Sequence, residues 1–155
     1  MEGNRQFVKK LEDYSGLKVA SGAEACERAL HLFKAKTVGV ITPYQSIGDE
    51  QVIRFFNDIG MEVKAIKGLK CPTAVSIAHV SEAELREAII EVNGAGVDAI
   101  VQAGTNLSMV QLADEAERWL GKPVIAINAA TWWYALRQND IFEKIYHSGR
   151  LLREF

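Results

Sequence analysis

Thr37-Val-Gly-Val-Ile41, followed by Thr42-Pro-Tyr-Gln-Ser-Ile-Gly48, is the stretch that decides the fold. The first five residues carry no charge and read as a strand buried on both faces. The next seven are loop-like. They lead into Asp49–Ile59, where Val52, Ile53, Phe55 and Phe56 are available to a core and Gly60 ends the run. Met61–Ile66 is then a second strand, so the unit is strand, helix, strand.

The rhythm continues downstream. Gly68–Ser76 is a loop. Ser81-Glu-Ala-Glu84 is a capping box, with Val80 and Leu85 placed as its hydrophobic staple, and the helix it opens runs to Gly94 and Gly96. Asp98-Ala-Ile-Val-Gln102 is the third strand. Gly104-Thr-Asn106 turns into a helix that ends at Leu120 and is closed by Gly121. Pro123–Ile127 is the fourth strand and Thr131–Gln138 a last helix. Strands alternating with helices across short loops imply parallel βαβ units with right-handed crossovers. The expected fold class is therefore α/β: a four-stranded parallel sheet in the order 2-1-3-4, flanked by helices, with residues 37–140 forming one complete domain.

Residues 1–36 do not fit that repeat. Phe7, Val8 and Leu11 are spaced for one helix face and Gly16 stops the helix. Leu17–Ala20 reads as a short strand. Ser21 caps a helix to about Lys34, with Ala25, Ala29, Leu32 and Phe33 inward. This segment reads as a remnant of, or bridge to, a second domain. Residues 141–155 read as a C-terminal tail.

Composition narrows the function classes. The chain has 155 residues, 48% hydrophobic and 25% charged, as in a soluble globular protein. A domain of this size buries roughly 70% of its unfolded surface. A net charge of −2 gives no basic footprint, so nucleic acid is not an expected partner. No apolar run approaches a membrane span and the first ten residues lack a signal-peptide core, so a cytoplasmic location is expected. Cys26 and Cys71 are the only cysteines and neither belongs to a CxxC motif. Cys26 lies among Ala25, Ala29 and Leu30 as a small core residue. His31, His79 and His147 form no cluster with carboxylates, so neither a metal nor a cofactor is expected. Glu82, Glu84, Glu87 and Glu91 make a solvated helix face. Trp132 and Trp133 point in different directions on their helix, which leaves one of them for an interface.

In an open parallel sheet, ligands bind beyond the carboxyl ends of the strands at the switch in strand order. For the order 2-1-3-4 that place lies between the loops Thr42–Gly48 and Gly104–Asn106. Gly104 allows close backbone approach. Thr105 and Asn106 offer donors, Asn106 suits an N-cap, and free N–H groups at a helix start favour an anion such as a carboxylate. Thr42 and Tyr44 complete the expected binding set. A phosphate would suit the same donors, but no GxxxxGK[ST] or GxGxxG pattern supports a nucleotide. The same residues also serve as ordinary turn-and-cap chemistry.

Val38-Gly-Val-Ile-Thr-Pro-Tyr44, Ile77-Ala-His-Val-Ser81, Thr105-Asn-Leu107, Leu120-Gly-Lys-Pro-Val124, Asn128 with the Trp132–Leu136 helix, and Gly149-Arg-Leu-Leu152 carry a resemblance. The chain resembles the aspartate/glutamate racemase superfamily, in the branch of maleate cis–trans isomerase and arylmalonate decarboxylase. The resemblance implies two similar α/β domains with the active site between them, each able to contribute a cysteine from a turn after a strand. By it, Tyr44 matches the tyrosine that holds the substrate carboxylate, Thr105 and Asn106 match the second turn, and Gly104 stands at the second cysteine position. Residues 1–36 match the family's linking segment, and the first domain is expected to lie largely before Met1. Cys71 is the remaining candidate thiol, although its position matches no family cysteine turn. The implied activity is a cofactor-independent isomerase or decarboxylase of a small dicarboxylic acid. A non-catalytic carboxylate-binding or interaction domain of the same fold is the alternative. A homo-oligomer or a sister domain is the expected partner.

Overall fold

The computed structural model describes residues 2–155. Its elements, in chain order, are α1 (Glu2–Ser15), α2 (Gly22–Leu32), β1 (Thr37–Thr42), α3 (Ser46–Asp58), β2 (Glu62–Gly68), α4 (Ala74–Ile77), α5 (Glu82–Asn93), β3 (Ala99–Gln102), α6 (Val110–Leu120), β4 (Val124–Ala126), α7 (Ile127–Gln138) and α8 (Arg150–Glu154). The four strands are parallel and lie in the order β2-β1-β3-β4. Val40 pairs with Ile66 on one side and Val101 on the other, and Gln102 pairs with Ala126. The expected architecture is thus the observed one.

The burial pattern explains the order. β3 is buried throughout and β1 from Val38 onward, so these two apolar strands take the centre. β2 alternates and carries Lys64 and Lys67, as an edge strand exposed to water should. α5 packs directly over β1. A Cβ on Gly39 would sit 3.0 Å from Val92 Cβ, so the missing side chain sets that close approach. Ser81 caps α5, and the Glu84 side chain returns the bond to the Ser81 N–H at 2.9 Å. The core runs from Phe56 and Leu30 through Val40 and Ile100 to Leu85 and Ile89.

Several local readings are corrected. Leu17–Ala20 is not a strand. The Val19 N–H bonds to Glu12 Oε1 at 3.0 Å and Lys18 Nζ reaches Gln138 O at 2.7 Å, so the segment has no strand partner. α2 ends at Leu32 and turns Cys26 and Leu30 inward, leaving Leu32 half-exposed. In α1 only Val8 is buried, while Phe7 and Leu11 are exposed. The segment read as a 68–76 loop ends in the short helix α4, which runs on to Ile77 and is started by a Thr73–Ser76 capping box. α7 begins at Ile127 rather than Thr131, directly after a three-residue β4.

The C-terminal segment is docked by two buried acids of α6. Asp114 accepts the Gly149 N–H at 3.1 Å and pairs with Arg118 and Arg153. Glu117 accepts the Arg150 N–H at 2.6 Å and the Val124 N–H at 3.0 Å, which ties α8 to the start of β4. Leu151 and Leu152 are buried here, with α8 packed on α7. Burial works to raise Asp114, but its bonds from Arg118 and Gly149 outweigh it and hold the carboxyl below its ordinary value. At Glu117 burial wins over the two backbone N–H groups, Arg150 and Arg153, and pushes the carboxyl up to about 7.

Folding therefore takes up a proton at Glu117 between its ordinary value of 4.5 and about 7. The stability this group contributes is complete below 4.5 and is lost as pH rises through about 7. Thermal unfolding of wild type and Glu117→Gln across that window checks this. The wild-type midpoint is expected to fall relative to the variant as pH rises, and a constant difference between the two would contradict the assignment.

Candidate functional site

Because β1 and β3 are neighbours, the loops that follow them emerge side by side. The first is held by hydrogen bonds within the protein. Thr42 is fully buried; its hydroxyl donates to the Asp49 carboxylate and accepts the Tyr44 N–H at 3.2 Å. The Thr42 and Pro43 carbonyls accept from Leu69 N–H at 2.8 Å and Cys71 N–H at 3.0 Å. Gln45 Nε2 donates to Lys70 O and Cys71 O. The loop is thus sewn to the chain that follows β2, and Tyr44 is presented half-exposed at its tip. Thr42, expected among the ligand-holding residues, builds the loop instead.

The second loop turns at Gly104, whose φ is +94°. The Ala103 N–H extends the sheet by bonding to Ile41 O at 2.9 Å, and the Leu107 N–H closes on Gly104 O at 3.2 Å. A Cβ on Gly104 would lie 2.6 Å from Pro43 Cγ and 3.6 Å from the Tyr44 hydroxyl oxygen. The two loops therefore touch at Pro43 and Gly104, with the phenol beside them. Gln102, only 1% exposed, donates its carboxamide to Ala103 O and Gly104 O, each at 2.7 Å. Asn128, in the first turn of α7, donates to Thr105 O at 2.9 Å.

Asn106 is not an N-cap. Leu107 and Met109 are buried, so the chain dips into the core after the turn and α6 starts only at Val110. Asn106 instead reaches Ala74 O at 3.4 Å. The N-cap residues of α3 and α7, Gln45 and Ala126, make no side-chain cap bond. Both helices point their positive ends toward the carboxyl edge of the sheet.

Beneath Tyr44 and Gly104 a groove of about 450 Å³ runs between α2 and α3. Val52, Phe55, Val101 and Ile127 make it apolar, and Cys26 lies in its wall. Burial, then Glu27, pushes the Cys26 thiol up to about 12, so it is no thiolate at neutral pH. Cys71 is half-buried and is not among the residues lining this groove. Among the described residues no group of three His, Cys, Asp or Glu could hold a metal ion.

Tyr44, Gly104 and Thr105 thus come together at the switch in strand order. Sequence reasoning missed Gln102 as a structural partner of the turn, although it was the one polar residue ending an apolar strand. Asn128 had no assigned role, because its partner is a backbone carbonyl.

A family model described as arylmalonate decarboxylase matches residues 1–152. A maleate isomerase of Pseudomonas putida is 27% identical over 155 residues, covering 96% of this chain and 62% of its own length. A maleate isomerase of Nocardia farcinica is 26% identical over 137 residues, covering 88% of this chain and 55% of its own. Among solved structures, a double mutant of arylmalonate decarboxylase in liganded form has a TM-score of 0.92 at 22% identity, over 97% of this chain and 66% of that one. A Nocardia farcinica maleate cis–trans isomerase with a covalently bound succinylcysteine intermediate gives 0.89 at 23%, over 97% and 64%. The chain thus spans less than two thirds of these relatives, and the structural likeness carries the fold.

The Pro43–Gly104 contact has a direct consequence. Gly104→Ala places a side chain against Pro43 at a positive φ and is expected to cost about 2 kcal/mol or more. Adding Pro43→Ala is expected to recover part of that loss. Urea unfolding of the single and double variants measures both.

Proposed function

The chain belongs to the arylmalonate decarboxylase family, and from that premise we propose that it supplies the carboxylate-holding half of an isomerase or decarboxylase acting on a small dicarboxylic acid. The observation that carries this reading is the convergence of the Tyr44 hydroxyl with the Gly104–Thr105 turn at the carboxyl edge of β1 and β3. The phenol and the turn N–H groups hold one carboxylate. Loss of CO₂ from the other carboxylate, or addition of a thiolate to the double bond of an unsaturated diacid, spreads charge onto the held oxygens as an enediolate. In the second case rotation about the new single bond and expulsion of the thiolate complete the isomerisation. Donors fixed before reaction stabilise that charge without reorganising. No metal or organic cofactor enters this scheme.

Gly104 has no side chain to act as acid, base or nucleophile. The buried Cys26 thiol is protonated, and Cys71 lies outside the groove. In this reading the thiol or proton donor comes from a facing sister domain or a second copy of the chain, and the assembly works in the cytoplasm. No described helix is long and apolar enough to cross a membrane.

Pro43 filling the space over Gly104 favours a second reading, a domain that binds carboxylates without turning them over. Calorimetric titration with maleate and malonate, run beside assays for fumarate and CO₂ release, separates the two. Binding is expected in wild type and is expected to weaken about tenfold in Tyr44→Phe, which loses one bond to a charged group. Product formation, by the chain alone or on addition of the first domain of a maleate isomerase relative, selects the enzyme, and binding without product in both cases selects the second reading. Failure of wild type to bind either acid would contradict both.

A further inference from the structure

Gln102 is a buried carboxamide in an otherwise apolar strand and does not line the groove. Val101 and Ala103 line the groove, so Gln102 between them points to the opposite face of the sheet. From there its one nitrogen donates to two successive carbonyls, Ala103 O and Gly104 O, both at 2.7 Å. In a trans peptide the C=O and the N–H point opposite ways, and the described chain contains no cis bond. Drawing both carbonyls toward Gln102 therefore turns the Gly104 and Thr105 N–H groups away from it, toward the side where the Tyr44 phenol stands. Neither N–H meets an acceptor among the described residues. Gly104 and Thr105 are accessible, and the positive φ of Gly104 places successive N–H groups on one side, as in an anion-binding nest.

We propose that Gln102 is a positioning residue that locks the Gly104–Thr105 turn with its two N–H groups aimed at the carboxylate beside Tyr44. The idea rests on the carboxylate reading of the site. The Gln102 amide acts only through the turn. Its two donor hydrogens match the two carbonyls, a match that neither a shorter nor an acceptor-only side chain provides. The Asn128 bond to Thr105 O holds the far side of the same turn.

The test uses isotope-labelled full chain in solution, with malonate as the probe. Without ligand, wild type is expected to show couplings across hydrogen bonds from the Gln102 side-chain amide to the Ala103 and Gly104 carbonyl carbons. Gln102→Met keeps the length and removes the donor, and Gln102→Glu replaces it with an acceptor. Both are expected to move the Gly104 and Thr105 amide resonances and to weaken malonate binding about tenfold or more. A merely structural role would lower the thermal midpoint without selecting those two amides. The wild-type couplings decide the matter even if a variant fails to fold. Absent couplings, or a Met variant with unchanged amides and unchanged malonate affinity, overturn the assignment. If malonate does not bind wild type while the ligand-free signals are as expected, the carboxylate reading falls and the positioning role of Gln102 stands.

Discussion

The pairing of β1 with β3 is the interaction on which the rest of the molecule depends. Val38 to Ile41 bond in register with Ala99 to Gln102, and the ladder continues one step further through the Ala103 N–H to Ile41 O. β2 and β4 lie on opposite sides of this pair, so the chain order reverses between β1 and β3. That reversal leaves an unroofed place where their two following loops meet. Everything at the site hangs from it. Thr42 and Asp49 set the first loop, Gln102 and Asn128 set the second, and Pro43 meets Gly104 where they touch.

The Pro43–Gly104 contact also fixes what the site can do by itself. A nucleophile or acid at position 104 would need a Cβ in space that the proline ring already fills. The turn is left with backbone donors, and backbone donors bind and stabilise charge but move no proton between carbon and solvent. In the proposed reading the arrangement divides holding an acid from transforming it. The groove below Tyr44 is apolar and its one thiol is held protonated by burial, so it adds shape and not acid–base chemistry.

The sheet was legible in the sequence because its signals are strong ones. Thr37–Ile41 and Asp98–Gln102 are uncharged or nearly so over lengths too short for a buried helix, and Ser81 with Glu84 marks a helix start by a specific reciprocal bond. The switch point followed from that order. The family resemblance and topology independently led to Tyr44 and Gly104, which the fold does bring together. Legibility failed where tertiary packing overrode local chemistry. Asn106 has the side chain of an N-cap, yet Leu107 and Met109 are drawn into the core and delay the helix to Val110. Thr42 looks like a ligand donor until Asp49, seven residues on, claims its hydroxyl. Leu17–Ala20 has the composition of a strand but no neighbouring edge to pair with. The tail at 141–155 hides its docking because Asp114 and Glu117 read as surface acids of an amphipathic helix, and only the fold shows them facing the N–H groups of Gly149 and Arg150.

In the proposed site a carboxylate occupies the junction of the two loops. A crystal of the full chain soaked with malonate tests it most directly. The account predicts a carboxylate with oxygens in hydrogen-bond range of the Tyr44 hydroxyl and of the Gly104 and Thr105 N–H groups, with Gln102 still bonded to the two carbonyls behind the turn. Malonate seated elsewhere, or a Gly104–Thr105 turn whose N–H groups face the Gln102 side, would contradict it.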